Sequence, residues 1–195
     1  VSLEKIASLL PQHAVRVLEK TPSTNDAMKA WAGEGAPHGA IVVAKRQTHG
    51  RGRRKRRWFA DPSGSLAMSI WWRAKVPVQQ ALSLPLAVGL GLWQALQAFA
   101  PGLRLKWPND LLAADGAKLA GILIEAHAGG FVIGIGVNVK TPEKGWPPLD
   151  QPAIALDRLC SSAPDRAEVA AAIVRRLDAL LPIWQAQGFA PLRAD

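Results

Sequence analysis

The sequence predicts an α+β domain, a mixed β-sheet backed by helices, and three observations lead there. Short runs rich in Val, Ile and Leu alternate with longer stretches of helical period, as strands interleaved with helices do. Two of these runs, 118–126 and 131–139, are separated by a turn containing Gly129 and Gly130, so this pair reads as an antiparallel hairpin. With 195 residues, 49% of them hydrophobic, the chain is long enough to fill one core.

The elements follow in order. Residues 15–18 read as a short strand, and 23–31 as a helix with Ser23 as N-cap and Asp26 three residues on, the spacing of a capping box. Residues 41–47 and 65–72 read as strands on either side of a basic loop. From 76 to 103 no residue is charged, a length that could span a bilayer. Gln79, Gln80, Ser83, Pro85, Gln94 and Gln97 interrupt that run, and Leu82, Leu86, Leu90 and Trp93 recur at helical spacing. A buried helix of a non-membrane domain is therefore expected. Strands are expected at 103–107, 118–126 and 131–139, a Pro-rich loop at 141–153, and helices at 155–160 and 165–187.

Composition narrows the function classes. Glu4, Lys5 and Pro11 break any secretory signal, and the lone Cys160 excludes an internal disulfide, so the cytoplasm is the expected compartment. His13, His38, His49 and His127 have no ligand-like spacing, and no structural metal is expected. The net charge is +9, and the segment GRGRRKRRW from Gly50 to Trp58 holds six basic side chains and two glycines. Such density repels itself, so a mobile loop is expected unless an anion holds it. Charge gathered in one loop suits a single polyphosphate better than a nucleic-acid backbone, although short arginine-rich RNA-binding segments share this look.

Other segments carry candidate chemistry beside plainer readings. Ser23, Thr24 and Asn25 offer polar groups at a helix start, where ordinary capping is the simpler explanation. Gln47 ends a strand next to the basic loop. In KWPND, Pro108, Asn109 and Asp110 spell a turn, yet the last two also suit a nucleotide or its Mg²⁺. Strict alternation puts Lys118 on a face with Ala120, Ile122 and Ile124, an awkward place for a solvated ammonium. Such a lysine either snorkels or stabilises a carboxylate or phosphate. Gly121 is expected to admit another backbone on the opposite face, and GIGVNV reads equally as an ordinary buried strand.

TPSTND, AKRQTHGRGRRKRRW, KWPNDLL, KLAGILIE and GIGVNV together resemble, in order and spacing, the catalytic domain of biotin protein ligases, the biotin-[acetyl-CoA-carboxylase] ligases. The resemblance covers about residues 15–139 and implies a class II biotin/lipoate ligase-like fold. It implies that biotin attacks the α-phosphate of ATP to give biotinyl-5′-AMP, which a lysine of biotin carboxyl carrier protein then takes up. Carried over by motif, Ser23, Thr24, Asn25, Gln47, Arg51, Gly52, Arg53 and Lys118 would bind biotin. Arg51, Arg53, Arg54, Trp58, Asn109, Asp110, Lys118 and Asn138 would bind the nucleotide, with Asp110 toward Mg²⁺. Lys118 and Arg53 are the expected catalytic residues, and Arg53→Gly is expected to release activated biotin.

Lys55 stands where the family pattern has glycine. Residues 1–187 would form the catalytic domain and 188–195 the start of a C-terminal SH3-like domain. No DNA-binding helix-turn-helix is expected before the first strand, hence no repressor activity and no DNA partner. No membrane partner is expected, and a homodimer through a sheet edge stays open. A lipoate ligase or octanoyltransferase is the alternative enzyme, disfavoured by the GRGRR loop, and a nucleic-acid-binding module is the third reading.

Overall fold

The computed structural model describes residues 3–127 and 129–194. Its strands are β1 Val15–Thr21, β2 Ile41–Gln47, β3 Ser65–Trp72, β4 Arg104–Lys106, β5 Asp110–Leu112, β6 Lys118–His127 and β7 Gly130–Asn138. They form one sheet in the order β1-β2-β3-β7-β6-β5-β4. β1 and β2 run parallel because helix α2, Thr24–Gly33, carries the chain back between them, while every other pair is antiparallel. The expected mixed sheet is therefore present.

Alternation assigns the two faces. Leu66, Met68, Ile70 and Trp72 of β3, with Ile133, Ile135 and Val137 of β7, point into the main core. Helices α4, Leu84–Gln97, and α5, Arg166–Gln187, cover that side with Leu92, Leu96, Ile173, Leu177 and Trp184. The opposite face carries a smaller cluster under α2, built from Met28, Trp31, Val42, Trp71 and Val132. Between that cluster and the basic loop the inward positions are Ala67, Ser69, Gly134 and Gly136, all small. Part of that face is thus left bare of large side chains, and a hollow results.

Three expectations change. The uncharged 76–103 stretch divides into α3, Val78–Ala81, and α4, with Pro85 in the first turn of α4, where its missing N–H costs no hydrogen bond. No described helix is long and apolar enough to cross a membrane. Residues 155–160 form only a 3₁₀ turn, Leu156–Arg158. KWPND closes a β4–β5 hairpin through a cis Trp107–Pro108 bond, and the short strand β5 and the first helix α1, Lys5–Leu9, have no counterpart in the sequence reading. The 3₁₀ turn Ala190–Ala194 returns onto α5 and buries Leu192 in the main core.

Candidate functional site

The hollow is organised by a polar network at the start of α2. Gln47, the last residue of β2, accepts the Thr24 backbone N–H at 2.9 Å and the Thr24 hydroxyl at 3.2 Å through Oε1. Ser23 stands at the N-cap position, but its side chain makes no capping bond, so Gln47 rather than Ser23 satisfies this helix start. The capping-box expectation fails at its other end as well, because Asp26 turns to Arg51.

Ser69 lies 2.8 Å from Thr24 Oγ1 and 2.6 Å from Asn25 Oδ1. Having one proton, it can donate to only one of them at a time. Asn25 Nδ2 donates to Leu123 O at 3.2 Å and to Glu125 Oε2 at 2.7 Å, which fixes the direction of the amide. Glu125 also receives Lys29 Nζ at 2.6 Å. Burial pushes the Glu125 carboxyl up, but the hydrogen bonds from Lys29 and Asn25 outweigh it and hold the group below its usual value. Ser23, Thr24 and Asn25 are all buried, and the side chains of Thr24 and Asn25 are committed to this corner.

The basic segment is a hairpin rather than an irregular loop. Arg51 bridges Arg57, Gly52 N–H donates to Arg56 O at 2.8 Å, and Trp58 N–H donates to Gly50 O at 2.9 Å. A Cβ on Gly50 would lie 2.5 Å from Trp58 O, so only glycine allows this closure. At the tip, Arg53–Lys55 make a 3₁₀ turn in which Arg54 takes the left-handed φ of 55°. The side chain of Lys55 lies outside the described part of the structure.

Charge repulsion is partly relieved at the base of this hairpin. Arg51 makes a two-pronged contact with Asp26 at 2.5 and 2.6 Å and sits 3.6 Å from Glu125. The hydrogen bonds from Arg51 hold the Asp26 carboxyl below its usual range. Arg53, Arg54, Arg56 and Arg57 instead border a cavity of about 370 Å³, together with Lys106, Asn109 and Asp110. Phe59 and Trp146 also line it, in an edge-to-face pair with centroids 6.3 Å apart.

Lys118 does not lie where strict alternation puts it. Leu111 pairs with Ala120 but Leu112 pairs with Lys118, so Leu119 is an extra residue and the strand bulges. The bulge rotates Lys118 off the face of Ala120 and Ile122 and onto that of Gly121, whose built Cβ would meet Lys118 Nζ at 3.5 Å. Gly121 accordingly makes room on its own face for the side chains of Trp58 and Lys118 rather than for another backbone. Lys118 Nζ is 2.7 Å from Asp110 Oδ1, an ion pair without hydrogen-bond alignment, since that buried oxygen has no aligned donor.

The remaining expected residues divide. Asn109 Nδ2 donates to Ile122 O and Asn109 O accepts Ile122 N–H, locking the KWPND hairpin to β6. Asn138 Nδ2 donates to Lys118 O and Ile154 O, while its buried Oδ1 has no partner and the residue borders the larger cavity. Trp58, expected on the nucleotide side, lies instead in the smaller hollow with Ser23, Thr24, Asn25 and Gln47. No cluster of three or more His, Cys, Asp or Glu able to hold a metal exists among the described residues. Asp110 and Asp150 both border the larger cavity and can each offer Mg²⁺ a carboxylate, which fits an ion that takes most of its ligands from phosphates and water.

Sequence reasoning missed Ser69, Gly134, Gly136, Asp26, Glu125, Lys106 and Trp146. A signal existed for the first three, a lone hydroxyl in the apolar run LAMSIWW and two glycines at i and i+2, the spacing of one strand face. Trp146 in a Pro-rich loop carried none.

The sequence profile of the Biotin/lipoate A/B protein ligase family matches residues 17–141. The chain belongs to that family. This family member is 39% identical over 87% of its length to the biotin-[acetyl-CoA-carboxylase] ligase of Mycobacterium tuberculosis, of which it covers 64%. It is 33% identical over 98% of its length to the bifunctional ligase/repressor of Escherichia coli, of which it covers 60%. The chain therefore spans less than two thirds of these relatives.

Among solved structures, this member of the ligase family superposes on the Aquifex aeolicus biotin protein ligase in complex with biotin and ATP with a TM-score of 0.77 at 29% identity, covering 93% of this chain and 75% of that one. It superposes on the Leishmania major biotin protein ligase in complex with biotinyl-5-AMP with a TM-score of 0.76 at 26% identity, covering 88% and 76% of the two chains. The class II biotin/lipoate ligase-like fold expected from the motifs is therefore the observed one.

Proposed function

We propose that this chain carries the catalytic centre of a biotin protein ligase. It would activate biotin with ATP to biotinyl-5′-AMP and pass the acyl group to one lysine of the biotin carboxyl carrier protein of acetyl-CoA carboxylase. One observation carries the reading. The small hollow with the polar corner and the arginine-lined cavity adjoin, and Gly52, Asn109 and Lys118 border both. A carboxylate in the first would meet a phosphate from the second beside the Lys118 ammonium.

The chemistry follows from that adjacency. A carboxylate oxygen forms a bond to the α-phosphorus as the bond to the β-phosphate oxygen breaks, and pyrophosphate leaves with the electron pair. Lys118 opposes the charge shared between carboxylate and α-phosphate, and Arg53 with Arg54, Arg56 and Arg57 opposes that on the departing pyrophosphate. Mg²⁺, supplied with ATP and held on the protein side by Asp110, would neutralise phosphate charge. In the second step the acceptor amine attacks the acyl carbon, the bond to phosphate breaks, AMP leaves and the nitrogen loses a proton. Ser23, Thr24, Asn25 and Gln47 would hold the polar end of biotin, and Arg51 and Gly52 would stand over its carboxylate end. Asn138 would serve the nucleotide through its unpaired Oδ1.

The same reading puts the reaction in the cytoplasm. A homodimer would form through one of the two open sheet edges, β1 or β4. The test is a calorimetric titration with biotin, using lipoate and octanoate as controls, repeated with ATP and Mg²⁺ while pyrophosphate is assayed. Selective biotin binding and ATP-dependent pyrophosphate release are expected. Equal binding of lipoate, or pyrophosphate release driven by octanoate, would move the chain to another branch of the family.

A further inference from the structure

Trp58 closes the basic hairpin, and its indole rests on bare backbone. A Cβ built on Gly136 would lie 2.5, 2.6 and 2.7 Å from Cε2, Nε1 and Cζ2 of the ring, and one on Gly121 would lie 3.2 Å from Cζ3. Gly121 and Gly136 are paired across β6 and β7, so together they make a floor free of side chains. Lys118 Nζ stands 5.5 Å from the ring centroid. With the indole there, the hollow keeps about 50 Å³ of room, enough for water but far below the ~300 Å³ at the low end of small-molecule pockets. The indole N–H is buried without an acceptor. A large apolar ring gains from leaving water and from the ammonium over its face, whereas a buried donor without a partner is a cost, so this occupant is held by shape and by its ring face and not by a hydrogen bond.

We propose that Trp58 is an internal stand-in for the substrate ring, occupying the glycine floor when no acid is bound, so that the acid binds only after the indole has left. The identity of the acid rests on the reading above as biotin; the contest for the floor does not. A fused bicyclic head group and a fused bicyclic indole require the same unencumbered surface, which a residue larger than glycine at 121 or 136 would remove. The apparent affinity for the acid is then its intrinsic affinity reduced by the fraction of molecules with Trp58 withdrawn. Because Trp58 follows Arg56 and Arg57 directly, withdrawing it also moves the arginine-bearing arm of the hairpin.

The test compares the wild-type chain with Trp58→Ala and Trp58→Phe, using free indole and biotin as probes. Indole is expected to bind Trp58→Ala with one-to-one stoichiometry, to compete there with biotin, and not to bind the wild type. Biotin is expected to associate with Trp58→Ala about tenfold faster or more, as the competent fraction rises toward one, with Trp58→Phe between. In wild-type protein labelled with 5-fluorotryptophan, the resonance assigned to Trp58 by its absence from Trp58→Phe should shift on adding biotin, a readout that needs no truncated side chain. Indole binding to both proteins or to neither, with unchanged biotin association, would overturn the proposal. Were biotin to bind none of the three, the ligase reading would fall, while the indole comparison would still decide whether Trp58 covers the floor.

Discussion

Lys118 Nζ sits 2.7 Å from Asp110 Oδ1 at the partition between the two hollows, yet the pair lacks hydrogen-bond alignment. The ammonium and the carboxylate therefore hold each other by charge while both keep bonding capacity for a reacting phosphate or its metal ion. Lys118→Met is expected to lower the rate of pyrophosphate release by about 100-fold with a much smaller effect on biotin affinity, since the lysine opposes charge that grows in the transition state. A double-mutant cycle with Asp110→Asn should be strongly non-additive, and additivity in single-turnover rates would show that the two act independently.

Arg53 is among the loop arginines facing the larger cavity, whereas Arg51 is tied to Asp26. Arg53→Gly is expected to leave the hairpin base intact and to loosen retention of the acyl-adenylate. Incubated with ATP, biotin and a bystander protein, the variant should biotinylate exposed lysines, measured by avidin blotting. Labelling as selective as that of the wild type would remove Arg53 from the retaining role.

Ser69 is fully buried within hydrogen-bonding distance of Thr24 Oγ1 and Asn25 Oδ1 and donates to one of them at a time. Ser69→Ala removes this buried donor and leaves an acceptor short of a partner. The expected losses are about 1–3 kcal/mol of stability in urea unfolding and a rise in the KM for biotin, with kcat little changed. A loss of stability with an unchanged KM would make Ser69 structural only.

His13 makes a pH dependence explicit. Its Nδ1 lies 2.7 Å from Gly39 O and its Nε2 2.9 Å from Asp178 Oδ2, so both ring nitrogens face acceptors and the doubly protonated ring satisfies both. The hydrogen bond to Asp178 raises the His13 pKa above 6.5 against the opposing effect of burial. A raised folded-state value means that this stabilisation is fully present below the unfolded pKa and is lost as pH rises through the folded one. The melting temperature should therefore fall from pH 6 toward pH 8.5 in the wild type, and His13→Gln should flatten that slope. Parallel slopes would exclude His13 as the source.

Much of the fold was readable because its signals are local. Strands β2, β3, β6 and β7 appear in the sequence as apolar runs bounded by turn residues, and the 50–58 segment is conspicuous by charge alone. The division of the 76–103 stretch into α3 and α4 was harder to see, because apolar periodicity runs across the break and only Pro85 hints at it. In the site, alternation put Lys118 on the wrong face. Period-two counting cannot register a bulge whose cause is the pairing of Leu111 and Leu112 with β6.

Residue types and their order determined by themselves that this chain makes a mixed sheet backed by helices, places much of its positive charge in one loop, and carries five motifs resembling a ligase family. Only the tertiary structure decided that Gln47 caps α2, that Asp26 and Glu125 draw in Arg51, that Lys118 turns toward Asp110, and that Trp58 lies on Gly121 and Gly136. Composition and periodicity report what a segment does on its own. These contacts join residues far apart in sequence, and which groups meet depends on the register, bulge and crossover that bring them together.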